Sequence, residues 1–297
     1  MPVQGRSARS SIDRSLGVIL VDSGVITIED AQRVINLQRE QKVPFGEAAL
    51  QLGLVTQADI RDALSHQYQY SYVSRTSGQQ INPELVAAYK PFSHEVDKLR
   101  AIRSQLMLRW FDKELGHAML AVVGADRAEG GSYLVANLAI VFAQMGERTL
   151  LIDADMRTPR QHELFKLNNQ LGFSSLLAGR ADVAQVVSPI SYIDNLAVLP
   201  AGPTPPNPQE LLNRPTLTNL LEWAGLAYDI VLIDTSSLSV GADAMMVAAK
   251  AGAALAVARA NGTKLRAFQG MIVDLKRSGI NVVGSVLNDP PLIDVAS

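Results

Sequence analysis

The segment AVVGADRAEGGSYLVANLA, residues 121–139, constrains this chain more than any other. An apolar run stops at a glycine-containing loop, and a second apolar run follows with helical character. A buried strand entering a helix through a tight turn satisfies that pattern, and the loop's N–H groups together with the helix N-terminus then form an anion nest. Ala125 takes the first small-residue position of a phosphate-binding loop. After four intervening residues come Gly130, Gly131 and Ser132, where the usual pattern ends Gly-Lys-Ser/Thr. Ser132 keeps the hydroxyl suited to Mg²⁺, whereas Gly131 stands in place of the lysine. The candidate nucleotide-contacting loop is therefore Ala125, Asp126, Arg127, Ala128, Glu129, Gly130, Gly131, Ser132 and Tyr133. Taken alone, the same residues also describe an ordinary glycine turn.

Two later segments tip that balance. LLIDAD places Asp153 and Asp155 at the carboxyl end of one apolar strand, and VLIDTS places Asp234 at the end of another. In open α/β sheets ligands bind at that end. Carboxylates there, beside a phosphate loop, form the Mg²⁺ side of a nucleoside triphosphatase. The competing reading is three aspartates that merely cap helices. Strands are expected at AMLAVVG, RTLLIDAD, NLAVLP, YDIVLID, ALAVAR and INVVGSVL, with helices between them. The fold class is α/β, a phosphate-loop nucleoside triphosphatase with a mostly parallel sheet covered on both faces.

The first ~70 residues repeat internally: LGVILVDSGVITIEDAQRVINLQ matches FGEAALQLGLVTQADIRDALSHQ at a constant offset of 29. Gly24 and Gly53 are expected to end helices in the left-handed conformation. Thr27 with Asp30, and Thr56 with Asp59, are expected to cap the helices that follow. The result is a small helical domain over 1–72, a linker over 73–92 and the α/β domain over 93–297; connector character already begins at residue 68, where a short strand is expected around Tyr68, Tyr70 and Tyr72. A helix is expected from Ser93 to Phe111.

Composition excludes some functions. The 297 residues carry a net charge of −2, and basic residues do not interleave with aromatics, so nucleic acid is not an expected partner. Without cysteine there is no thiolate metal site and no thiol nucleophile. His66, His94, His117 and His162 show no metal-ligand spacing. The apolar stretch Leu134–Phe142 contains Asn137 and falls short of the ~18 residues of a membrane helix. The chain is expected to be cytoplasmic, peripheral at the inner membrane through a partner.

On these motifs, residues 117–290 resemble the bacterial tyrosine kinases that control exopolysaccharide chain length, and most of all the EpsG-like group, which adds a domain ahead of the kinase. LLIDADMRTPRQHELF, GFSSLLAGR, LPAGPTPPNPQELL and VLIDTSS follow in that family's order. KLRAIRSQL, with Asp97, Arg100 and Arg103, is similar to the helix used for ring assembly. The fold is shared with MinD/ParA-type ATPases carrying a deviant Walker A loop. The resemblance implies ATP and Mg²⁺ as cofactors, with Ser132, Asp153 and Asp234 at the metal. It implies Asp155 as the group that orients or deprotonates a tyrosine hydroxyl, and Arg157 close by. Implied partners are a membrane polysaccharide copolymerase (chain-length determinant protein) and further copies of the chain. Three departures stand out: Gly131 for lysine, Ala128 for a usual loop glycine, and no tyrosine after Tyr228. Arg127 or Arg157 could supply the missing charge.

The N-terminal repeat resembles the N-terminal domain of type II secretion and pilus ATPases. Some of those domains bind cyclic di-GMP through tandem L-G-x-x-L-V-x-x-G motifs. The corresponding residues are Arg14, Leu16, Gly17, Leu20, Gly24, Gln38, Gly46, Leu50, Gly53 and Gln67. They imply either a cyclic di-GMP site or a helical docking module.

Overall fold

The computed structural model describes residues 16–57, 59, 60, 63 and 81–289. The chain divides into two compact units between Ser74 and Arg75.

In the first unit, α1 (Leu16–Asp22), α2 (Ile28–Gln41) and α3 (Phe45–Gln51) surround a core of Leu20, Val34, Ala48 and Ala49. Both repeats end their first helix alike. Gly24 and Gly53 have φ of +72° and +66°. The N–H groups of Val25 and Leu54 close back onto Leu20 and Ala49. Thr27 and Asp30 exchange side chain-to-backbone hydrogen bonds at the start of α2, and Thr56 and Asp59 do the same in the second repeat. The strand expected around Tyr68, Tyr70 and Tyr72 lies outside the described residues.

The second unit begins with α4 (Val86–Tyr89) and α5 (His94–Arg109), followed by β1 (Met119–Gly124), α6 (Gly131–Ala143) and β2 (Thr149–Asp153). Short helices α7 (Gln161–Phe165), α8 (Phe173–Leu177) and α9 (Val183–Val186) lead to β3 (Ser188–Pro189) and β4 (Leu196–Leu199). Then come α10 (Pro208–Leu212), α11 (Pro215–Ala227), β5 (Ile230–Asp234), α12 (Asp243–Ala251), β6 (Ala253–Arg259), α13 (Leu265–Arg277) and β7 (Asn281–Asn288). The sheet order is β3-β4-β2-β5-β1-β6-β7, parallel except for β3 against β4. The strand β3 was not anticipated; two residues ending in proline carry no periodicity.

The strands β1, β2, β4 and β5 are apolar on both faces because both faces are covered. One covering element is α6, whose residues Leu134 to Ala143 are all buried. It packs on the sheet and is itself overlaid by α4 and α5. The described part of the expected connector, residues 81–92, is thus not a free linker. Ile81, Leu85, Ala87 and Ala88 are fully buried. Asn137 explains how a wholly buried helix holds this outer layer. Its Oδ1 accepts the N–H of Ala87 at 3.0 Å, and its Nδ2 donates to Glu84 O at 3.2 Å and Tyr133 O at 2.9 Å. On α5, Arg103 donates to Val141 O at 2.9 Å. Phe111 meets Phe142 edge-on with centroids 5.3 Å apart.

Asn137→Leu leaves the Ala87 N–H buried without its partner and strips the Glu84 carbonyl of one of its two donors, the other being the Val86 N–H, a cost of about 2–3 kcal/mol. Thermal melting should show a loss of roughly 5–10 °C for a unit of this size; an unchanged melt would mean that the outer layer is held by packing alone.

Candidate functional site

The neighbour order β2-β5-β1 brings three carboxyl ends side by side. Asp153 closes β2 and pairs in register with Asp234 at the end of β5, while β1 runs out into the loop 125–130. Both carboxylates are fully or almost fully buried. The Asp153 carboxyl lies well above the usual carboxylate range, first because it is desolvated and then because Asp234 faces it. This persists although Asp153 accepts the N–H groups of Arg160 and Gln161 at 3.0 and 2.9 Å. Burial also pushes Asp234 up to about 6, against opposing hydrogen bonds from Gln161 and Ser132.

Asp155 is buried one turn further on. Its Oδ1 accepts the N–H groups of Arg157 and Thr158, and its Oδ2 accepts the Thr158 hydroxyl at 2.8 Å. Arg157 pairs through Nε with Asp243 Oδ2 at 2.7 Å, tying this loop to the first turn of α12.

The loop is held from the β6–β7 side. Arg259 donates to Ala128 O at 3.2 Å and Asn288 to Glu129 O at 3.0 Å. In a planar trans peptide, fixing those carbonyls turns the N–H groups of Glu129 and Gly130 the opposite way. The Glu129 side chain is buried under the loop, where Thr263 donates to it. Gly130 is obligatory: its φ is +86°, and a Cβ there would lie 2.0 Å from Asn288 Nδ2. Ala128 adopts φ +60° without being glycine. Gly131 is different. Its φ is not positive, and a Cβ would meet only Val122 Cγ1 at 3.9 Å, so the backbone would accept a lysine. Asp126 accepts the Arg127 N–H and the Ser239 hydroxyl, which hold its carboxyl below the usual range. Arg127 is exposed. Tyr133 lies beside Glu95 and Glu84 of the outer layer; its phenol is raised by burial and by those two charges.

The carboxylate pair fits a divalent cation. Among the described residues no three His, Asp or Glu side chains form a metal-binding group of their own. Mg²⁺ asks for less, being held by one or two carboxylates plus phosphates and water. Asp234 Oδ1 is buried with no hydrogen-bond partner, as is Gln161 Oε1. Gln161, Asp243, Arg259, Thr263 and Asn288 were missed in the sequence. Gln161 and Asp243 look like helix-start residues, and the other three lie over a hundred positions from the loop they hold.

No family model matches the chain. It is 34% identical over 206 residues to the putative tyrosine-protein kinase CapB of Staphylococcus aureus, covering 68% of this chain and 88% of that protein. The chain belongs to the bacterial tyrosine-protein kinases. The kinase domain of Escherichia coli tyrosine kinase ETK superposes with a TM-score of 0.66 at 31% identity, over 72% of this chain and 83% of that one. The tyrosine-protein kinase wzc of Salmonella typhimurium is 35% identical over 205 residues. That match covers 69% of this chain but spans only 28% of the relative's length. The cell division ATPase MinD of Pyrococcus furiosus, at 22% identity and a TM-score of 0.51, shares the fold alone.

Outside the kinase unit, the N-terminal candidates separate into different roles. Leu20 is fully buried core. A Cβ on Gly17 would meet the Phe45 ring at 2.9 Å, so this glycine serves close packing of the repeats, whereas one on Gly46 would make ordinary contacts with Ile60 and Leu16 at 3.4 and 3.5 Å. Gly24 and Gly53 sit at turns, and Leu50 packs partly buried against the core. Leu16, Gly17 and Gln38 come together in a shallow groove of about 470 Å³ with Val21, Ile35 and Phe45. Arg14 and Gln67 lie outside the described residues.

The raised carboxyls of this site set a pH dependence. Asp234 binds its proton more tightly folded than unfolded, so its contribution to stability is present below about pH 4 and is lost as pH rises through about 6. In Mg²⁺-free buffer, Asp234→Asn should therefore melt above the wild type at pH 7.5, by about 1–3 kcal/mol, with the difference closing toward pH 4. A variant less stable than wild type at pH 7.5 would contradict the cost of burying the Asp234 charge.

Proposed function

We propose that the chain is an ATP/Mg²⁺-dependent protein-tyrosine kinase acting in exopolysaccharide chain-length control and export. The observation that carries this reading is the meeting of a phosphate loop with Asp153, Asp155 and Asp234 at three adjacent strand ends. Ser132, Asp153 and Asp234 would hold Mg²⁺, and the loop N–H groups would hold the phosphates. ATP supplies the phosphoryl group, and the cation offsets its charge. Asp155 would receive the tyrosine proton, with Arg157, anchored on Asp243, at the edge of the site. Phosphoryl transfer depends chiefly on such positioning and charge neutralisation. The partner is a membrane polysaccharide copolymerase, which would bring the chain to the inner membrane. Among the described residues no helix is long and apolar enough to cross a membrane. Further copies would assemble through the α5 face carrying Asp97 and Arg100, which pair at 3.2 Å.

Gly131 supports a second reading, a nucleotide-sensing regulatory subunit with weak transfer. Loss of one preorganised charge costs typically about 10²–10³ in rate. The experiment is nucleotide binding together with ³²P transfer to a tyrosine peptide, for wild type and Gly131→Lys. The kinase reading expects transfer by the wild type and about 10²-fold or greater gain in the variant. Tight binding with no transfer by either protein would favour the regulatory subunit, and no ATP binding would end both.

The sensed ligand in that second reading is ATP at the loop or cyclic di-GMP at the groove of Leu16, Gly17 and Gln38. Calorimetry of the intact chain with cyclic di-GMP should give a binding isotherm that Gln38→Ala abolishes. An absence of heat would leave the repeat as a docking module.

A further inference from the structure

Gln161 touches more of the site than any residue expected there. It is fully buried. Its N–H donates to Asp153 Oδ2 at 2.9 Å, and its Nε2 donates both to Asp234 Oδ2 at 2.7 Å and to Ser132 O at 3.1 Å. Both partners of Nε2 are acceptors, so the orientation of the amide is fixed by chemistry. The side chain is therefore a strut joining the end of β5 to the first turn of α6, while the backbone N–H holds the end of β2. Beside the Nε2–Oδ2 hydrogen bond, the amide oxygen Gln161 Oε1 and the other carboxylate oxygen, Asp234 Oδ1, are buried and without a partner. Two desolvated acceptors beside a repelling carboxylate pair call for donors, and the water shell of a divalent cation supplies them.

We infer that Gln161 is a positioning residue for Mg²⁺: it aims Asp234 from the phosphate-loop helix and offers Oε1 to a metal-bound water. The inference rests on the nucleotide–Mg²⁺ reading of the site and is independent of whether phosphate reaches a tyrosine. A partner of this kind is worth about 10–100-fold in metal affinity.

The test is fluorescence titration of mant-ADP into the intact chain across a range of Mg²⁺ concentrations. Gln161→Met keeps the volume and removes the amide, and Gln161→Ser leaves space for water. In either variant, the Mg²⁺ concentration giving half the gain in mant-ADP affinity should rise about tenfold or more, with the Mg²⁺-free affinity unchanged. A folded variant with the wild-type Mg²⁺ midpoint overturns the inference. An equal fall in affinity with and without Mg²⁺ also overturns it, since Gln161 would then only shape the loop. A wild type whose mant-ADP affinity ignores Mg²⁺ overturns the nucleotide–metal reading itself, and this inference with it.

Discussion

Two carboxylates buried face to face organise this molecule. Asp153 and Asp234 occupy paired positions on adjacent parallel strands, and neither has solvent to spread its charge. Burying charge without a counter-charge is costly, and burial raises the proton affinity of both groups. A fold has no stability reason to keep that arrangement. Everything around the pair makes sense as its support: backbone N–H groups of the loop into α7, the Gln161 amide, and the start of α6 with Ser132. A cation and its water would complete what those groups leave open.

The phosphate loop shows a different economy. Its shape is imposed from the β6–β7 side of the sheet, by Arg259 and Asn288 holding two successive carbonyls and Thr263 holding the buried Glu129. That bracing accounts for one of the departures in the loop sequence and leaves the other unexplained. Ala128 is kept in a left-handed conformation that costs an L-residue about 1–2 kcal/mol. Gly131 gives up a charge that its backbone does not require it to give up. The missing lysine is a chemical choice, since the site has space for its Cβ.

The N-terminal unit separates likeness of sequence from likeness of role. Its repeated glycines divide into Gly17, which lets a neighbouring ring approach, and a pair that ends helices, Gly24 and Gly53. Both uses follow from packing and backbone geometry. The groove over Leu16, Gly17 and Gln38 is the place where a ligand could exploit that packing.

Much of the kinase unit was legible in the residue order. Apolar runs ending in aspartate located β2 and β5, the glycine loop located β1 and α6, and Thr27–Asp30 and Thr56–Asp59 marked helix starts, because these signals act within a few residues. The site was only half legible. Sequence named Asp153, Asp155, Asp234 and Ser132, but not Gln161, Asp243, Arg259, Thr263 or Asn288, whose roles exist only across the sheet. Nor could it place 81–92, where small apolar residues resemble a connector until Asn137 is seen bonding Ala87 and Glu84. By itself the sequence determined which strands carry the carboxylates. Only the tertiary structure decided that β5 lies between β2 and β1, and that adjacency puts two buried charges in register beside a phosphate loop.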